Sequence, residues 1–434
     1  MKKINSLFLC IIFIFTLIYP FISPAPVAAA NFAKGADVSW LSQMEEHGYK
    51  FYDDNGVAKD CLQILKEHGI DSIRLRVWVN PSNDPYSGHC SKEETVRMAK
   101  RCADMGFRIM IDFHYSDSWA DPGKQYKPAA WNNHDINQLK ADVYNHTYDV
   151  LSALKSNGVK PEWVQVGNET NDGMLWEEGR ASKNMKNFAL LINSGYDAVK
   201  AVFSDAKVIV HISNGHNNSL FRWIFDGLRS NGTKFDVIGM SLYPEVDNWS
   251  SMSNQCLSNM NDMVSRYGKE IMICEVGMPA YPASESKAFL TDIIKKTRSV
   301  SGGKGLGVFY WEPQCYNWAG YGKGAWYNDG RPSVALDAFL EGVIPTPTPT
   351  SSPTPTPTTT YSSGLPGDVN GDGYVDSLDL SIFKRYILRK IDNLPVADAK
   401  RAADLNEDGY IDSTDVTILK RYLLRKIKAL PYVV

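Results

Sequence analysis

Apolar residues along the first 340 positions fall into short runs separated by longer amphipathic stretches. Eight runs read as strands: ADVSW (36–40), SIRLRVWV (72–79), RIMIDFHY (108–115), WVQVGNE (163–169), KVIVHIS (207–213), DVIGMSLY (236–243), EIMICEVG (270–277) and GLGVFYWE (305–312). Most are nearly continuous in apolar character, as strands covered on both faces are. Between them lie helical patterns such as VAKDCLQILKEHG, EETVRMAKRCADMG and ALLINSGYDAVKAVF. Regular alternation of strand and helix predicts a parallel sheet. Eight such units in about 310 residues predict an α/β fold of the (β/α)8 TIM-barrel kind, with an open doubly wound sheet as the alternative. No G-x-G-x-x-G follows the first strand, so nothing points to a dinucleotide site.

The flanking segments have other patterns. Lys2 and Lys3 precede an apolar run from Leu7 to Ile22, broken by Pro20, and then Ala28-Ala29-Ala30. That order predicts a secretory signal over residues 1–30. Pro20 leaves the run shorter than a bilayer crossing, and no later segment is long and apolar enough to span a membrane. The barrel is then expected over 31–344. Residues 345–363 open with PTPTPTSSPTPTPTTT, which cannot build a core and predicts an extended linker. Residues 364–434 form a small helical domain that repeats itself at an offset of 36 (404 minus 368).

In that repeat Asp368, Asn370, Asp372, Asp376 and Asp379 occupy positions 1, 3, 5, 9 and 12 of a calcium loop. Gly373 takes the tight turn and Tyr374 offers its carbonyl at position 7. Asp404, Asn406, Asp408, Asp412 and Asp415 repeat the set, with Gly409 and Tyr410. Two Ca2+ ions are therefore expected in this domain. Asp rather than Glu stands at position 12 and no helix precedes the first loop, which excludes an EF-hand sensor. After each loop comes a helical pattern, with Leu380, Phe383 and Ile387 on one face and Val416, Leu419 and Leu423 on the other copy's face. Neither stripe is buried alone, so the copies are expected to pack together.

Composition narrows the function. A net charge of -3 argues against a nucleic-acid partner, which requires a basic excess. Eleven Trp supply flat apolar faces suited to stacking on sugars. Cys61, Cys90, Cys102, Cys256, Cys274 and Cys315 are scattered without a C-x-x-C pair, so mostly buried thiols are expected and their pairing stays open.

Two strands end on a carboxylate: Glu169 closes the fourth and Glu275 the seventh. A buried acid is costly to desolvate unless it is paired or used. The C-terminal strand ends of a barrel share one rim, so both acids are expected to face one cleft. Such a pair suits glycoside hydrolysis, and its separation decides retention or inversion. On SIRLRVW, Arg74, Arg76 and Trp78 share a face by period 2. Pointing inward, the two cations need carboxylate partners, and a depressed pKa for an ionised Glu275 follows. Asp112, His114 and Ser116 alternate onto one face in the same way.

Six stretches carry a resemblance: GADVSWL, SIRLRVWVNP, DFHYSDSWADPGKQ, VGNETNDGMLW, HISNGHNNSLFRWIFD and EVGMP. From Ala33 to Gly342 the chain resembles the endo-β-1,4-galactanases of glycoside hydrolase family 53, part of a barrel clan of retaining enzymes. The resemblance implies Glu169 as acid/base and Glu275 as nucleophile. It implies that Asn168 bonds the hydroxyl beside the reacting carbon, that Tyr243 and Arg76 orient the nucleophile, and that Trp311 floors the cleft. His114 and Trp119 belong to the third-strand motif and are expected to bind substrate. The implied substrate is the β-1,4-galactan of pectin side chains, cut internally. EVGMPAYPASESKAF lacks the Asp-rich insertion with which some bacterial members bind calcium, so no metal is expected in the barrel.

From Gly367 onward the chain resembles a type I dockerin. That implies a cohesin module on a scaffoldin as partner, an extracellular location, and contacts from Ser377, Leu378, Lys384, Arg385, Ser413, Thr414, Lys420 and Arg421. Two other readings stay open: a clan-related glycanase acting on mannan or glucan, and a non-catalytic carbohydrate-binding barrel. The intact Asn168-Glu169 and Glu275 weigh against the latter.

Overall fold

The computed structural model describes residues 32–82, 89–340 and, within 365–431, all but 370–374, 376, 390, 392, 395, 397 and 425. The expected signal (1–30) and linker (345–363) lie outside the described residues. The described chain forms two compact units, 32–340 and 365–431.

The first unit has eight parallel strands: β1 (Ala33–Asp37), β2 (Ser72–Val77), β3 (Arg108–Phe113), β4 (Trp163–Val166), β5 (Lys207–Ile212), β6 (Val237–Leu242), β7 (Glu270–Val276) and β8 (Gly305–Trp311). Each pairs with the next, and β8 returns to β1, so the sheet closes into a barrel and the open doubly wound alternative falls. Its helices are α1 (Leu41–Glu46), α2 (Cys61–Glu67), α3 (Lys92–Asp104), α4 (Ile136–Ser156), α5 (Ala181–Val202), α6 (Asn218–Ser230), α7 (Trp249–Tyr267) and α8 (Ala283–Arg298). Local chemistry sets their starts. Asp135 accepts the Asn137 and Gln138 N–H groups, and the Gln138 side chain returns to the Asp135 N–H, a capping box that opens α4.

The first strand begins three residues before its expected place, at Ala33 instead of Ala36. Its small residues explain the difference. A Cβ on Gly35 would lie 2.1 Å from the Phe309 ring, so the β1–β8 seam needs the bare backbone that AKGA supplies.

Inside the barrel, period 2 sorts the side chains into layers. Met110, Trp163, Ile209, Val237, Met272, Cys274 and Phe309 form one buried apolar cluster. Two residues further along β3, β4 and β5 come Asp112, Gln165 and His211, all completely buried. An apolar plug therefore carries a polar layer toward the C-terminal rim, with each large plug side chain contributing roughly 1.5–3 kcal/mol by burial. All six described cysteines are buried as separate thiols. Among the described residues no helix is long and apolar enough to cross a membrane.

The second unit contains α9 (Ser377–Ile387), α10 (Ala399–Ala403) and α11 (Ser413–Leu423). Phe383 and Leu419 are fully buried in one cluster, with Leu380, Ile387, Val416 and Leu423 packed against it. The two copies share that core as their stripes predict. The helices α9 and α11 start earlier than the apolar stripes, at Ser377 and Ser413; Asp412 caps α11 by accepting the Thr414 N–H.

Candidate active site

The fourth strand stops at Val166, short of the acid it leads to. Gly167 has φ 90°, and a Cβ there would meet Thr170 Cγ2 at 2.6 Å. Glu169 itself has φ 44°, in the left-handed region that non-glycine residues rarely take. Such backbone clusters where a side chain must be aimed. Here it leaves Asn168 buried and Glu169 half-buried at the rim.

Arg74 organises the layer below. Its Nη1 lies 2.6 Å from Asp37 Oδ2, and its Nε donates to Gln165 Oε1 at 2.7 Å. The Nη2 nitrogen lies 2.9 Å from Asp112 Oδ2, from Asn168 Oδ1 and from Glu275 Oε1. Tyr243 donates its hydroxyl to Glu275 Oε2 at 2.8 Å. Two residues before Tyr243, on β6, Ser241 donates to Glu169 Oε1 at 2.7 Å. Ser241 is also the register partner of Glu275 across β6 and β7.

Burial raises the Glu169 carboxyl above the usual carboxylate range, and the charge of Glu275 adds to the rise. Burial raises Glu275 as well, against the pull of Arg74 and of the Tyr243 hydroxyl. The depressed value expected for Glu275 is thus corrected: one shared guanidinium does not offset removal from water. Asp112, by contrast, is held down at about 2; its burial is outweighed by Arg74 and His114.

The second inward cation has a different place from the expected one. Arg76 bonds Glu312 Oε1 at 2.6 Å, so the arginine that touches Glu275 is Arg74. Two residues along a strand is one full pleat, which carries Arg76 past Glu275 to Glu312 at the end of β8. Glu312 also accepts the Trp40 N–H and the Gln314 amide. Arg76 packs against the rings of Trp119, Trp40 and Trp78 at 4.3, 5.2 and 5.6 Å. Half-buried Trp311, Trp119 and Tyr321 stand with buried Trp40 in an aromatic wall, with ring centroids 4.9–5.4 Å apart along Trp119–Trp40–Trp311–Tyr321. That wall suits the apolar face of a sugar.

His114 does not face the cleft with a free nitrogen. Its Nε2 lies 2.9 Å from Asp112 and its Nδ1 accepts the Ala120 N–H at 3.1 Å. It therefore braces the polar layer and offers a sugar nothing. Asn168 gives one amide hydrogen to Ala120 O at 2.9 Å, which leaves the other for a ligand hydroxyl. Sequence reasoning passed over Trp40, Glu312, His211 and Ser241. The last two had a signal, since each lies on the inward face of its strand by the same alternation that marked Asp112.

Outside the cleft, Glu46, His89 and Glu94 stand at metal-ligand spacing. Glu94 already accepts from Ser42, the Cys90 N–H and His89, which occupies its oxygens within the protein.

In the second unit, Asp415 is fully buried and accepts the Leu405, Asn406 and Asp412 N–H groups at 2.7, 3.3 and 2.9 Å. Asp404 Oδ2 accepts the Gly409 N–H, whereas its buried Oδ1 has no hydrogen-bond partner. An orphaned carboxylate oxygen in a loop of acids is what a hard cation satisfies. Asp368 and Asp379 are buried at the equivalent places, and Asp379 accepts the Val369 N–H. Asn370, Asp372, Tyr374 and Asp376 lie outside the described residues. Ser413, Thr414, Lys420, Arg421, Lys384 and Arg385 are exposed. The side chains of Ser377 and Leu378 are outside the description.

Comparison with known proteins accounts for both units. Residues 33–287 match the family described as glycosyl hydrolase family 53, and residues 366–424 match the type I dockerin domain. An uncharacterized protein of Niallia circulans is 39% identical over 312 residues, 65% of this chain and 83% of the relative. A probable arabinogalactan endo-β-1,4-galactanase A of Neosartorya fischeri is 34% identical over 310 residues, 66% of this chain and 85% of the relative. The solved GH53 catalytic domain of Ignisphaera aggregans has a TM-score of 0.66 at 32% identity, covering 73% of this chain and 97% of its own. The chain belongs to glycosyl hydrolase family 53: it is a glycoside hydrolase on a TIM barrel, joined to a type I dockerin domain.

Proposed function

We propose that the protein is a secreted, retaining endo-β-1,4-galactanase that cuts the β-1,4-galactan of pectic arabinogalactan and is carried on a cellulosome by its dockerin. The observation that carries the reading is the single Arg74 nitrogen held between Glu275 and the Asn168 side chain, which ties the neighbour of one rim acid to the other. Relatives that match along most of their length are named arabinogalactan endo-β-1,4-galactanases, which supports the substrate.

In the first step Glu169, protonated, gives its proton to the glycosidic oxygen while the Glu275 carboxylate attacks the anomeric carbon. Arg74 and Tyr243 hold the attacking carboxylate, and the leaving sugar departs as an alcohol. In the second step a water, losing its proton to Glu169, releases the glycosyl group from Glu275. Asn168 holds the hydroxyl beside the reacting carbon, and Trp311 and Trp119 wall the sugar.

Residues 1–30 direct export and are removed, 31–344 form the catalytic domain, 345–363 space it, and 364–434 dock. Asp404, Asn406, Asp408, the Tyr410 carbonyl, Asp412 and Asp415 would hold one Ca2+, and Asp368 with its repeat equivalents a second; bound calcium supplies charge neutralisation that lets the acid-lined loops close. The exposed Lys420-Arg421 and Lys384-Arg385 pairs, with Ser413-Thr414 and Ser377-Leu378, form two near-equivalent faces for a cohesin.

Reducing-sugar release from galactan, set beside mannan, xylan and glucan, tests the substrate. Proton NMR of the first product tests the stereochemistry: the β-anomer is expected, and initial α-product would sink the double displacement. Glu275→Ala should abolish turnover in a chain that still folds; an active variant refutes the nucleophile.

A further inference from the structure

Glu169 receives one side-chain hydrogen bond among the described residues, from Ser241. Ser241 is itself buried, and its Oγ lies 2.8 Å from His211 Nε2. The direction of that contact follows from the amides around His211. Arg74 donates to Gln165 Oε1, which fixes the Gln165 amide with Nε2 toward Asp112 Oδ1 and toward His211 Nδ1, both at 3.0 Å. The Glu169 N–H also points at Nδ1, at 3.4 Å. Asn168 Oδ1, 3.0 Å from Nδ1, already accepts from Arg74. With two donors aimed at Nδ1, the ring proton of neutral His211 belongs on Nε2. His211 is held neutral, since burial and the Arg74 charge push its pKa well below the usual imidazole range.

His211 Nε2–H therefore donates to Ser241 Oγ, and among the described residues the acceptor left for the Ser241 proton is Glu169. We propose that His211 and Ser241 are positioning residues for Glu169, holding its Oε1 with a fixed donor so that the transferred proton is carried by Oε2. The proposal rests on the reading of Glu169 as acid/base. In both catalytic steps no net proton moves through Ser241 or His211; the proton passes between Oε2 and the glycosidic oxygen or the incoming water. The relay keeps the carboxyl from rotating and limits how far burial can raise it. The other charged or titratable groups that bear on Glu169 are Glu275 from β7, Arg74 from β2, Asp121 from the loop after β3 and Tyr243 after β6. Those that bear on His211 are Arg74, Asp112 and His114.

The test is carbon-13 NMR titration of the Glu169 carboxyl in the full chain, identified by its disappearance in Glu169→Gln. Loss of one hydrogen bond to a charged group should raise its midpoint by roughly one pH unit in Ser241→Ala. Ser241→Thr, which keeps the hydroxyl, should restore it. The readout does not depend on the substrate, so it stands apart from the galactanase reading. A second readout uses aryl β-galactosides. In kcat/KM, which reports the first step alone, Ser241→Ala should lose little on dinitrophenyl leaving groups, which need no proton, and fall at least about tenfold behind wild type on unsubstituted phenol. An unmoved midpoint, or an equal loss on every leaving group, would overturn the proposal.

Discussion

Nη2 of Arg74 lies 2.9 Å from Oε1 of Glu275, deep in the layer that closes the barrel mouth from below. The same guanidinium neutralises Asp37 and Asp112, both completely buried. Arg74→Met should strip the shared guanidinium from three carboxylates, Asp37, Asp112 and Glu275. Removing one partner of a buried pair costs about 3–5 kcal/mol. We expect the urea midpoint of the barrel to fall accordingly, and a midpoint unchanged from wild type would show that this cation is dispensable.

The contribution of Glu169 and Glu275 to folding stability should fall as pH rises above the 4.5 of a free Glu side chain. Glu169 and Glu275 both bind their protons more tightly in the folded chain than in the unfolded one. Between the unfolded and folded pKa values the folded state holds the extra proton, so stability is lost as pH climbs through that window. Glu169→Gln removes one such group. Its melting temperature should equal that of wild type near pH 4.5 and exceed it at pH 8, measured by calorimetry; a constant offset at both would contradict the sign.

Arg76 and Glu312 form a second buried pair, and Arg76 also supports the rings of Trp119 and Trp40. Arg76→Met and Glu312→Gln should each destabilise by about 3–5 kcal/mol, because each strands the other group. The double variant should cost clearly less than the sum, as coupled neighbours do. KM should rise in Arg76→Met as the aromatic wall loosens. Additive losses in denaturant melts would mean the two do not interact.

Calcium should control the second unit alone. Asp415→Ala removes one carboxylate that three backbone N–H groups share, and with it a proposed calcium ligand. Cohesin binding, read by calorimetry, should be lost in that variant or with chelator, while galactan hydrolysis by the same chain stays at the wild-type rate. Cohesin affinity that survives chelation would refute the metal-dependent fold.

Much of this molecule is legible from period and register. The alternation on SIRLRVW places Arg74 and Arg76 inside, and the strand ends place Glu169 and Glu275 on one rim. What period cannot do is choose between two arginines on the same face. Only the stagger of β2 against β7 and β8 assigns Arg74 to Glu275 and Arg76 to Glu312. His114 misleads for a related reason: inward direction is readable, but whether a ring nitrogen is already bonded depends on Asp112 on the strand and on Ala120, which folds back six residues further along the loop that follows it. The first strand is displaced because AKGA has little apolar signal, and its need for a bare backbone comes from Phe309, 274 positions away (309 minus 35).

That seam has a consequence for synthesis. The Ala33–Asp37 strand finds its second neighbour only when Gly305–Trp311 has been made, so nearly the entire domain must leave the ribosome before either open flank is covered. A nascent or truncated chain ending before Gly305 would present two bare flanks to other copies, and clumping of such fragments is the expected fate of any message cut short there.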